Sequence, residues 1–136
     1  IAPTARANQS DIAWVKRLLE SSGKAIVVSE GQMDAVTATS GSGPAYFFAF
    51  VEAMTKAAQR LGLSEADAKV LVAQTFLGAA KMLDESGKDA KTLRENVTSP
   101  KGTTAAALGE FEKADLEELV YKAMQAARDR SIELSN

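Results

Sequence analysis

The stretch from Ala66 to Leu83 most constrains how this chain can fold. Its spacing is helical, yet its apolar residues do not keep to one side. Val70, Leu71, Val72, Phe76, Leu77, Met82 and Leu83, with interspersed alanines, spread over most of the circumference. A helix apolar on all sides must be covered on all sides. In 136 residues that leaves two arrangements: a central core helix of a monomer, or helices of two copies that interlock. We expect the second. Ser64 with Asp67 resembles a capping box opening this helix and Gly87 closes it, which predicts a span of 65–85.

The remaining pattern beyond Gly31 is also helical. A short helix is expected over 33–38, then a break at Ser40-Gly41-Ser42-Gly43. Pro44 suits the N1 position of a helix over 45–61, with Gly62 past its end. Helices follow over 91–96, 103–113 and 116–133, the last capped by Asp115 with Glu118. Before Gly31 the pattern differs. Ser10 is the expected cap of a helix through Trp14 and Leu18, ended by Gly23. Residues 24–29 form a β-branched run, the one clear strand candidate. A single strand cannot satisfy its own backbone groups. The chain, which starts at Ile1 rather than methionine, is therefore expected to be a fragment, or its strand to pair with something outside these residues.

Composition removes several chemistries. With no histidine and no cysteine, histidine-based triads, HExxH zinc sites, thiol nucleophiles and disulfides are excluded within these residues. No carboxylate spacing among Glu30, Asp34 and Glu52 suggests a metal, so none is expected. The formal charge of −2, with interspersed signs, gives no nucleic-acid footprint. No apolar run approaches the roughly twenty residues that span a bilayer, and no signal-peptide pattern is present. A cytoplasmic protein is expected.

What chemistry remains concentrates in Val97-Thr98-Ser99-Pro100-Lys101-Gly102-Thr103-Thr104. Pro100 stops the preceding helix, Gly102 permits close backbone approach, and three hydroxyls surround the unpaired amides of the next first turn. Free N–H groups at the positive end of a helix dipole favour an anion. A capped loop holding no ligand is the alternative reading of this stretch. Gly41-Ser42-Gly43 is not a dinucleotide fingerprint, because Tyr46 replaces the third small residue and no strand directly precedes it. Its expected use is a tight bend allowing close helix approach.

Together these motifs resemble the pyrroline-5-carboxylate reductase family. Asp34-Ala35-Val36-Thr37, Ser40-Gly41-Ser42-Gly43-Pro44-Ala45-Tyr46, the 74–83 segment and the VTSPKGTT loop carry the resemblance, which runs from about Glu30 to the end. It implies a mainly α fold, a helical-bundle dimerisation domain like the C-terminal domain of 6-phosphogluconate dehydrogenase, preceded by a helix–strand remnant of a Rossmann domain. Residues 1–30 are then the tail of the nucleotide-binding domain, and 31–136 the substrate-binding and dimerisation domain. The implied reaction is NAD(P)H-dependent reduction of 1-pyrroline-5-carboxylate to L-proline, the last step of proline biosynthesis. The cofactor is NADPH or NADH, bound mainly by a preceding domain at residues not identifiable here. This chain alone is then inactive.

Val97, Ser99, Gly102, Thr103 and Thr104 are the implied substrate-binding residues, with Thr104 catalytic through its hydroxyl. The implied partner is a second copy, in a homodimer or a ring of dimers. The family usually has glycine where this chain has Lys101, which speaks against a left-handed backbone there and adds a cation. The helical half of another small-acid dehydrogenase, or a non-catalytic dimerisation module, are the competing readings.

Overall fold

The computed structural model describes residues 1–135. They divide into two compact units, one of residues 1–43 with the last helix from Lys122 onward, the other Pro44–Tyr121. The architecture is mainly α, as expected.

In the first unit, α1 (Gln9–Glu20) is capped two residues earlier than expected. Asn8, not Ser10, is the cap. Its side-chain oxygen accepts the amides of Ser10 at 2.8 Å and Asp11 at 3.0 Å, and Asp11 accepts the Asn8 amide in return at 2.9 Å. An extended backbone at Asn8 aims the short amide at both donors. The helix stops at Glu20, before Gly23, where the Ser21 hydroxyl takes the Leu18 carbonyl.

The expected strand over 24–29 does not form, and no strand occurs among the described residues. A trace of its pairing survives. The Ile1 amino group donates to the Ile26 carbonyl at 2.8 Å, and the Val28 amide donates to the Ile1 carbonyl at 2.9 Å. That is one rung of a parallel ladder with Val27 opposite Ile1. A ladder needs a second segment along its whole length, and one residue cannot supply it.

Beyond a 3₁₀ turn at Glu30–Gln32, α2 (Met33–Val36) runs directly into a π turn, Thr37–Gly41. The expected break at Ser40–Gly43 is thus a widened helical turn, and α3 (Gly43–Arg60) follows after one αR residue, Ser42. Pro44 is the second residue of α3 rather than its first. Ala38, inside the π turn, is 2% exposed. The Ser131 hydroxyl donates to the half-buried Asp34 carboxylate at 2.7 Å, tying the final helix, α7 (Leu116–Ser135), to α2.

The second unit follows its sequence closely. Gly62 ends α3 at φ 103, and the Leu63 amide reaches back to the Ala58 carbonyl, a Schellman closure. The Asp67 amide donates to the Ser64 hydroxyl at 3.1 Å, starting α4 (Glu65–Glu85). Gly87 lies at φ 68 beyond its end. Two ring contacts bind α3 to its neighbours: Phe47 with Phe76 at 5.5 Å and Phe50 with Phe111 at 6.2 Å between centroids. Asp115, at φ 51, turns the chain between α6 (Thr103–Lys113) and α7. The last helix runs two residues past its expected end.

Packing within the chain covers one side of α4. Ala68 is 0% and Val72 6% exposed, and Phe76 on the same row stacks on Phe47. On the opposite side Ala66, Val70, Ala73 and Leu77 form an i, i+4, i+7, i+11 stripe, with Val70 69% and Leu77 60% exposed. Heptad spacing of this kind is the pattern of a helix–helix seam. Among the described residues only Ala38, Ala68 and Val72 form a buried apolar core. So much bare apolar surface marks an interaction face. No described helix is long and apolar enough to cross a membrane.

Candidate anion site at the start of α6

The site begins with how α5 (Ala90–Asn96) ends. The Asp89 carboxylate caps its start, accepting the Thr92 amide at 2.7 Å. Hydrogen bonds from the Thr92 backbone and side chain hold that carboxyl below its ordinary range. At the other end the Thr98 hydroxyl donates to the Arg94 carbonyl at 2.6 Å. Its amide takes the Glu95 carbonyl at 3.1 Å, and the Val97 amide takes that of Arg94. These bonds pin the loop to the last turn of α5. Thr98 was not among the residues proposed from sequence, although a threonine just past a helix end is a recognisable carbonyl cap.

Between Ser99 and Gly102 the chain reverses in one turn, with the Gly102 amide donating to the Ser99 carbonyl at 3.0 Å. Lys101 occupies the left-handed region at φ 59. The lysine does not prevent the backbone that the sequence argued against; the turn imposes it. An L-residue there costs roughly 1–2 kcal/mol. Lys101→Gly should therefore raise stability by about 1 kcal/mol, once glycine's looser unfolded state is subtracted. Urea unfolding would measure this, and a neutral or negative change would contradict the strained conformation.

Gly102 is needed for a reason nearer home than a ligand. A side chain on it would collide with the Ser99 hydroxyl oxygen and lie 3.1 Å from the Ser99 carbonyl oxygen. Its amide is also committed within the turn, so the donors left at the start of α6 are those of Thr103, Thr104 and Ala105. Gly102 is the N-cap and, having no side chain, leaves the turn uncapped. Thr103 is exposed and Thr104 half-buried. Among the described residues the hydroxyls of Ser99, Thr103 and Thr104 have no hydrogen-bond partner, in contrast to Thr98. Ser99, Gly102, Thr103 and Thr104 thus come together around one turn. Val97 stands apart as the last, exposed residue of the α5 end.

A groove of about 840 Å³ borders the loop at Thr98, floored by Leu108, Phe111, Leu116 and Val120. Glu95, Glu112, Asp115 and Glu117 rim it against a single Arg94. That excess of negative charge repels an acid, so the groove is no rival for an anion. No group of acidic residues that could hold a metal ion occurs among the described residues.

Fold and site together define a helical domain with a bare apolar face on α4 and an uncapped, dipole-charged start to α6. The family model described as Pyrroline-5-carboxylate reductase dimerisation matches residues 30–134, and the chain belongs to that family. It is similar to pyrroline-5-carboxylate reductase 2 of Bacillus subtilis, at 45% identity over 94% of this chain and 46% of that protein. Identity to the Pseudomonas aeruginosa reductase is 53% over 78% of this chain and 39% of that one. The solved reductase of Coxiella burnetii matches 98% of this chain and 50% of its own, with TM-score 0.94 and 40% identity. The Plasmodium falciparum enzyme, solved with NADP bound, matches with TM-score 0.84 and 34% identity over 98% of this chain and 54% of its own. The chain spans about half the length of the curated relatives it matches.

Proposed function

We propose that this chain supplies the substrate loop and the dimer contact of a pyrroline-5-carboxylate reductase. The enzyme reduces 1-pyrroline-5-carboxylate to L-proline, completing proline biosynthesis in the cytoplasm. The observation that carries this reading is the uncapped start of α6, beside the Ser99–Gly102 turn, in a chain of this family.

The substrate is a cyclic imine with one carboxylate. The amides of Thr103 and Thr104 and the Ser99 hydroxyl suit that carboxylate, and hydrogen bonds to a charged group contribute about 1.5–3 kcal/mol each. Two or three such bonds fix the ring, as reduction requires of its carbon. Val97 and Gly102 shape the entrance and the turn. The Thr104 hydroxyl then faces the imine nitrogen and donates to it, polarising the C=N bond. A threonine is too weak an acid to do more than polarise or shuttle a proton.

When bound, NADPH or NADH would supply the hydride. Its phosphates are assigned to a preceding domain. Ser40–Gly43 belong to a helical turn and the start of α3, not to a strand–turn–helix loop. In this reading residues 1–30 belong to the nucleotide-binding part and 31–136 form the substrate-binding and dimerisation domain. The bare stripe of α4 and the apolar floor of the groove are covered by a second copy, possible because an isologous pair buries the same surface twice.

In the protein with its cofactor-binding part present, Thr104→Ala should lower kcat by about 10–10³-fold, the low end being the loss of one hydrogen bond. NADPH oxidation with pyrroline-5-carboxylate measures it. An unchanged rate would take Thr104 out of the chemistry.

A further inference from the structure

From Met33 to Arg60 the chain follows a nearly continuous helical path, although Pro44 lies within it. In an α register the amide of residue 44 would bond to the Ser40 carbonyl. Proline has no amide hydrogen, and its ring would press on that carbonyl. The chain instead widens before the proline. The Ser42 amide donates to the Thr37 carbonyl, five residues back, at 2.8 Å. Within the same turn the hydroxyls of Thr39 and Ser40 donate to the Ala35 and Val36 carbonyls at 2.7 and 3.0 Å.

Burial follows the wide register. Ala38 and Gly43, five residues apart, are both buried. An i→i+5 closure stacks such a pair on one side, whereas at α geometry they would be separated by about 140°. The segment ahead of the turn carries Asp34, whose carboxylate receives the Ser131 hydroxyl. A change of register would swing Asp34 by about 100° relative to Gly43, one residue's step.

We propose that Pro44, by removing the amide an α register would use, holds Thr37–Gly41 in the π register. In the π register Ala38 and Gly43 are both buried and Asp34 meets Ser131. The α register gives up both.

The experiment is Pro44→Ala in the full-length protein, with its crystal structure compared with that of the unsubstituted protein. The expected result is that the Ser42 amide moves from the Thr37 to the Ala38 carbonyl and the Asp34–Ser131 bond is lost. Ser131→Ala should then lower the melting temperature of the unsubstituted protein and leave that of Pro44→Ala unchanged. Retention of the Ser42–Thr37 bond in Pro44→Ala would overturn the proposal. Should that variant not fold, the pair Thr39→Ala with Ser40→Ala is the second test. With Pro44 in place the π register should persist, and its collapse to α would show that the hydroxyls, not the proline, hold it. These readouts are structural and do not depend on the reductase reading.

Discussion

Leu77→Glu is expected to leave the chain helical but monomeric. Leu77 sits 60% exposed in the stripe of Ala66, Val70 and Ala73, on the side of α4 opposite buried Ala68 and Val72. Within one chain the substitution meets only water, so helix content should hold. In a seam between copies it would bury an unpaired carboxylate, at an effective cost of several kcal/mol. Each 1.4 kcal/mol is a factor of ten, so the dimer should weaken by roughly 10²–10³-fold. Sedimentation velocity over a concentration series would follow this, with far-UV circular dichroism confirming the fold. An unshifted monomer–dimer equilibrium would mean that α4 does not form the seam.

Gly102→Ala is expected to reduce kcat/KM by about 100-fold, the effect of misplacing a binding group by about an ångström. The added methyl group meets the Ser99 hydroxyl oxygen, which can rotate away, and the Ser99 carbonyl oxygen 3.1 Å off, which cannot easily retreat because it accepts the Gly102 amide. The substitution therefore displaces the hydroxyl assigned to the carboxylate, and KM should bear most of the loss. Steady-state kinetics on the complete enzyme would separate the two constants. A normal KM would indicate that Ser99 only shapes the turn.

Local chemistry explains which features were readable. The α4 and α6 boundaries, the Ser64 cap, and the glycines at 62 and 87 all depend on atoms within a few residues. The same range explains the loop between α5 and α6, since Pro100 and Gly102 act on their neighbours. Misreadings arose where a competitor stood close by. Asn8 displaced Ser10 because its longer side chain reaches two amides from an extended backbone. At 24–29 the β-branched pattern was present, but the pairing segment it requires was limited to Ile1. At Ser40–Gly43 glycines and serines suggested a break. The chain instead stays helical and takes a wider turn ahead of Pro44.

The amino-acid order alone determined a helical chain, the place of the loop between α5 and α6 and the need for α4 to be covered beyond one face, because capping, proline chemistry and apolar spacing are short-range. Only the tertiary structure decided that Lys101 takes a left-handed backbone, that Gly102 lies against Ser99, and that Asp34 meets Ser131 across 97 positions. The first two follow from the hydrogen-bonded turn between α5 and α6, whose closure can outweigh a local preference of about 1 kcal/mol, and the third from helices brought together by the fold.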